Sequence, residues 1–157
     1  VSKVTVPNPT LAEIQYVVEN LSEKSQEDIW GAVEATPQIY AGFIHKHPQA
    51  FRWVFYNDGK PAALLGAMLQ HRGVWNLFGM GTADWKSVWR LVTLVAKRDM
   101  MQAVLDAGAH RAQCMSPATH EDTHKWLRFL GATHEVEMPR FGRNGEDYIM
   151  FSWLKEE

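Results

Sequence analysis

His120-Glu121-Asp122-Thr123-His124 reads as His-Glu-x-x-His. On a helix this spacing puts two imidazoles on one face as zinc ligands, with the glutamate beside a metal-bound water. A simpler reading fits the same residues. They follow Pro117 in the first turns of a predicted helix, where Glu121 and Asp122 suit the positive end of the dipole. Thr119 and Asp122 have the spacing of a capping pair. Leu127 and Leu130 occupy the positions where the extended zinc motif carries Gly and a further His. No metal site is therefore expected. Cys114 has no paired His at nucleophile spacing and is expected to pack as a small apolar strand residue. His45 and His47 flank Lys46 at a predicted helix C-terminus, where cations suit the dipole. Asp84 is the best-placed carboxylate for a general base, and equally the natural N-cap of the helix that follows it.

Trp85, Trp89 and Thr93 lie four apart in series, so on one helix they share a face. Large rings fill cores and also anchor interfaces. The interface reading expects at least one of Trp85 and Trp89 to be solvent-exposed, or covered only by another chain.

The whole chain bounds these readings. Its 157 residues, 46% hydrophobic and 22% charged, suit one globular domain spanning 1–157. A chain of this size buries about 68–70% of its unfolded surface and needs no staples. A formal charge of −2 gives no global field toward nucleic acid or anionic lipid, so neither is expected as a partner. One cysteine excludes an internal disulfide. No apolar run reaches the ~18–20 residues of a membrane span. Val1 to Pro7 has no signal-peptide hydrophobic region, so a cytoplasmic setting is expected.

The elements that must position these residues follow from periodicity. Lys3-Val4-Thr5-Val6 alternates as a strand. Thr10 and Glu13 have capping-box spacing ahead of a helix through Leu21. A second helical region runs from about 25 to 47, broken at Pro37. Phe51–Tyr56, Ala62–Gln70 and Val74–Phe78 read as a meander, with Asp58-Gly59 in its first turn. One long helix is predicted from about Trp85 to Ala107, ended by Gly108. A strand at Arg111–Met115, a helix ending near Leu130 and strands near 133–138 and 147–153 complete an α/β order of mixed pairing.

Three stretches carry a resemblance: Leu77-Phe78-Gly79-Met80-Gly81-Thr82, Val88-Trp89-Arg90-Leu91, and Lys125-Trp126-Leu127-Arg128-Phe129-Leu130-Gly131-Ala132. In order and spacing they are similar to the GNAT acyltransferase superfamily. They resemble above all the GNAT-like proteins of short-tailed bacteriophages, a family that includes a small internal virion protein. The resemblance implies a single-domain mixed sheet flanked by helices. It places an acetyl-CoA site at Phe78, Gly79, Arg90, Thr93, Val95 and His120. In that alignment Thr93 and Val95 stand where GNAT enzymes keep small residues so that phosphate can approach backbone amides. His120 stands at a common Asn, and Leu127 at a Tyr that can act as general acid. The motifs are thus eroded. The reading that follows is a virion-associated binding or assembly protein with no cofactor expected. Its expected partners are other phage or host protein chains, with self-association open, in the virion or the host cytoplasm. The alternative is a CoA-dependent N-acetyltransferase with a divergent pyrophosphate site.

Overall fold

The computed structural model describes residues 3–157. Chain order is β1 (Lys3–Pro7), α1 (Leu11–Glu19), α2 (Glu23–Ala32), α3 (Pro37–Lys46), β2 (Ala50–Asn57), β3 (Lys60–His71), β4 (Val74–Gly81), α4 (Trp89–Val95), α5 (Met101–Asp106), β5 (Arg111–Pro117), α6 (Glu121–Phe129), β6 (Thr133–Met138) and β7 (Tyr148–Leu154). The strands form one seven-stranded sheet in the order β1-β2-β3-β4-β5-β7-β6.

Local signals account for most element ends. The Thr10 side chain accepts from the Glu13 amide at 3.2 Å, and the Glu13 carboxylate accepts from the Thr10 amide at 2.9 Å, a complete capping box. Ser22 and Thr36 cap α2 and α3 more simply, each side chain accepting from one amide, of Ser25 and Ile39, and Pro37 opens α3 where a missing N–H costs nothing. At the far end of α3, Arg52 donates to the carbonyls of Ile44 and His47, both at 2.7 Å, satisfying groups a helix end leaves free. The β2–β3 hairpin turns at Asp58 and Gly59, both with positive φ.

Side-chain alternation divides the sheet into two faces. Phe55, Leu65 and Leu77 pack with Val88, Val95, Met100 and Val104 of the α4–α5 layer. Their neighbours Val54, Leu64 and Met80 pack with Ile14, Val17, Ala41 and Ile44 of α1 and α3. Helix α6 lies beside α4 and buries Leu127 against Ile149 and Phe151 of β7.

The helix expected from Trp85 to Ala107 starts later and widens midway. Trp85–Ser87 forms a separate 3-10 turn, and a π-type turn at Ala96–Met100 joins α4 to α5 without leaving helical φ and ψ. Extra width at such a turn lets Ala96 and Met100 both reach the core, at 0% and 3% exposure. Asp84 precedes the 3-10 turn, but its side chain makes no cap bond. His120, not Thr119, sits at the N-cap of α6, also without a side-chain cap bond.

Candidate functional site

Strands β4 and β5 run parallel and pair only at Val74–Arg111, Trp75–Ala112 and Asn76–Gln113. Beyond that point each continues with a different partner, β4 with β3 and β5 with β7, so the two diverge. The last shared pair is held on side chains. Gln113 donates to Asn76 Oδ1 at 3.0 Å, and Asn76 donates to Gln70 Oε1 at 2.9 Å. The splay above this clasp is the natural site of the fold, because strand edges there have no sheet partner and two helices begin beside it.

On one side of the sheet α4 and α6 are tied together. Trp126 of α6 donates its indole N–H to Thr93 Oγ1 of α4 at 2.8 Å, and Thr93 donates onward to the Trp89 carbonyl at 2.7 Å. Further along, the Lys97 ammonium lies 4.5 Å from the centre of the Phe129 ring. Cys114 points into the same layer, where burial, and secondarily the charge of Asp28, pushes its thiol up to about 12. It is a neutral packing group.

On the opposite side stands Asp28 of α2. Burial pushes its carboxyl up to about 7, only partly offset by Lys24. No protein hydrogen bond to the carboxylate is found among the described residues. Its charge in turn helps raise Tyr40 and Tyr148, each to about 12, with burial the larger cause. Tyr148 donates its hydroxyl to the Asp28 carbonyl at 2.8 Å. Gly31 permits this, since a Cβ there would collide with the same hydroxyl. A partly buried carboxyl that titrates near neutrality and lacks a fixed donor has the properties of a proton acceptor. Sequence reasoning missed it because Asp28 sits on an ordinary polar stretch of α2, and nothing in its spacing reports the depth to which the helix packs.

The sequence-nominated residues are dispersed around this splay. The Phe78 ring packs over Gly66 toward α1 and α3. Gly79 is exposed on β4. Arg90 is an exposed cation at the start of α4. Asp84 is exposed just before the 3-10 turn. His120 is buried, with Nε2 3.7 Å from the Glu27 carboxylate; burial and Lys24 lower its pKa against the pull of Glu27. His124 instead turns to the Pro117 carbonyl at 2.9 Å. The two imidazoles thus answer to different partners, and among the described residues no three metal-capable side chains gather.

Two placements correct the sequence reading. Thr93 and Val95 do not stand at the phosphate-facing helix start. The amides that α4 leaves free are those of Trp89, Arg90 and Leu91, because Val92 already bonds to Val88. Thr93 and Val95 lie a turn later, 9% and 1% exposed, and face protein. Trp85 does not share a helix face with Trp89 and Thr93, because the 3-10 turn breaks the period and leaves Trp85 half-buried over Gly81. Trp89 is 43% exposed, as expected of at least one of the two rings.

The fit to coenzyme A is partial. The first turn of α4 leaves the amides of Trp89, Arg90 and Leu91 free beside the Arg90 cation, which suits a pyrophosphate. The exposed Trp89 side chain shares that turn, and buried Leu127 can donate no proton where the resemblance implies a Tyr.

No known family profile and no curated protein sequence matches the chain. Solved structures do. A ribosomal-protein-alanine N-acetyltransferase from Brucella melitensis superposes with a TM-score of 0.77 at 10% identity, covering 99% of this chain and 100% of that one. The yncA protein of Salmonella typhimurium, solved with its cofactor acetyl-CoA, gives 0.77 at 11% identity over 100% and 96%. An acetyltransferase of the GNAT family from Streptococcus pneumoniae gives 0.72 at 14% over 98% and 100%. The chain therefore has the GNAT fold: a mixed seven-stranded sheet flanked by helices in a single domain. At these identities the likeness extends to the fold and no further. Among the described residues no helix is long and apolar enough to cross a membrane.

Proposed function

We propose that this chain keeps the GNAT fold as a protein-binding or assembly module, of the kind its resemblance to phage GNAT-like proteins implies, and does not work as an acetyltransferase. The observation that carries this reading is buried Leu127, which stands in α6 where the resemblance implies a proton-donating Tyr, next to the Trp126–Thr93 bond that ties α6 to α4. Trp89, exposed on the outer side of the same helix, is the residue we assign to partner contact, since exposed Trp is enriched at interface centres. Its partners on this reading are other phage or host protein chains, or a second copy, in the virion or the host cytoplasm.

Asp28 supports a second reading. In an N-acetyltransferase with a rebuilt cofactor site, a carboxylate titrating near neutrality would remove the proton from an acceptor amine. A thiol-release assay with acetyl-CoA and a panel of primary amines separates the two. The binding reading expects no release above the rate without protein. Turnover by the wild type that is lost in Asp28→Asn would replace it with the enzymatic one.

A further inference from the structure

A concavity of about 580 Å³ lies between α2 and the start of α6. Glu23, Lys24 and Glu27 line it from α2, and His120, Glu121 and Asp122 from the other side. Four carboxylates thus surround one ammonium. The start of α6 adds about half a positive charge, which the two carboxylates of its first turn more than offset. Acidic side chains alone make an ordinary solvated surface. His120 makes this one different. The residue is 8% exposed, and the part left open borders the concavity. Among the described residues its imidazole has no hydrogen-bond partner, because the nearest carboxylate, of Glu27, stands at 3.7 Å. Burial first and Lys24 second lower its pKa, so at neutral pH the ring keeps a lone pair free to accept. A buried polar group in that state costs free energy unless it is met from the open side.

The wall therefore accepts almost everywhere and donates only at Lys24. It does not suit a metal ion, since among the described residues no three metal-capable side chains gather. A larger cation with several N–H donors suits it better. We propose that this concavity binds the guanidinium of an arginine side chain on a partner chain. That planar group carries five N–H donors in a fixed fork, which can meet carboxylates and a neutral imidazole together, where an ammonium is a single point charge. The carboxylates balance its charge, and His120 accepts one N–H. Lys24 is the internal competitor for the same carboxylates. The proposal gives the partner of the binding reading a chemistry and rests on that reading.

The test follows the ¹⁵N–¹H amide resonances of residues 23–27 and 119–122, with the His120 ring protons, during titration at low salt. The probe is Gly-Arg-Gly, acetylated and amidated. Gly-Lys-Gly and Gly-citrulline-Gly, blocked in the same way, are the ammonium probe and the uncharged isostere. Saturable shifts confined to these residues are expected with the arginine peptide, with a Kd of roughly 1 mM or tighter. Binding should be roughly threefold weaker for the lysine peptide and roughly tenfold weaker for citrulline. Glu27→Gln, at an exposed position that leaves the fold intact, should weaken the arginine peptide by a similar roughly tenfold. Lys24→Gln should tighten it. A response that does not saturate, equal affinity for the lysine or citrulline peptide, or no effect of Glu27→Gln overturns the proposal. The thiol-release assay answers separately for the binding reading: turnover there ends that reading, whereas failure here without turnover ends only this proposal.

Discussion

The Trp126 indole and the Thr93 hydroxyl meet at 2.8 Å and tie α6 to α4. Thr93 is spent on both sides, accepting from Trp126 and donating to the Trp89 carbonyl. Thr93→Val keeps the shape and removes the acceptor, stranding the indole N–H. The expected loss is about 1–2 kcal/mol by urea denaturation. In a Thr93→Val background, Trp126→Phe should cost about 1 kcal/mol less than in the wild type. Additive losses would show that the two side chains do not act together.

Trp89→Ala should behave differently. With 43% of the residue exposed, its truncation is expected to change unfolding free energy by less than about 1 kcal/mol. The same change should weaken any assembly that sedimentation velocity detects for the wild type. A large stability loss would make Trp89 a core residue and remove it from the interface.

Asp28 sets a pH dependence on the neutral side. Its folded pKa of about 7 stands above the ordinary 3.8, so the native state holds its proton more tightly than the unfolded chain does. Its contribution to stability is greatest below about pH 4 and falls as pH rises to about 7, by at most about 4 kcal/mol and less where water reaches the side chain. Asp28→Asn should flatten this fall and be the more stable form at pH 8. Urea curves at pH 5 and pH 8 decide it: a wild type and variant with the same pH dependence would show that the carboxyl titrates normally.

Glu135 has the opposite sign. Arg111 grips its carboxylate with two bonds of 2.7 and 2.6 Å, and Ser152 adds a third at 2.9 Å. Arg111 first and Ser152 second hold it at about 2, below the ordinary 4.5. Its stabilisation is full above about pH 4.5 and is lost as pH falls toward 2. Solvent screens this part-exposed pair, so Glu135→Gln should cost only about 0.5–1 kcal/mol at pH 7 and nothing near pH 2. A loss that persists at pH 2 would assign the effect to packing.

Much of the fold was legible because its signals are local. Thr10 with Glu13, Asp58 with Gly59, and the positive-φ glycines Gly108 and Gly131 act within a few residues of themselves, and each marks an element boundary. The site was far less legible. The Thr93–Trp126 contact spans 33 residues, and no periodicity reports it. Asp28 looks like any exposed helix carboxylate until Tyr148, 120 residues on, is seen to pack beneath it. The widened turn at Ala96–Met100 shifts register within what reads as one amphipathic helix. The 3-10 turn at Trp85 places the start of α4 at Trp89. A fixed motif laid over the sequence therefore assigned the phosphate-facing positions a turn too late.

Isothermal titration of the purified chain with acetyl-CoA tests the central proposal most directly, that the chain keeps the fold without binding the cofactor. The account predicts no saturable heat, or a dissociation constant far weaker than micromolar, for the wild type. A dissociation constant at or below roughly 10 μM, about −6.8 kcal/mol, would contradict it.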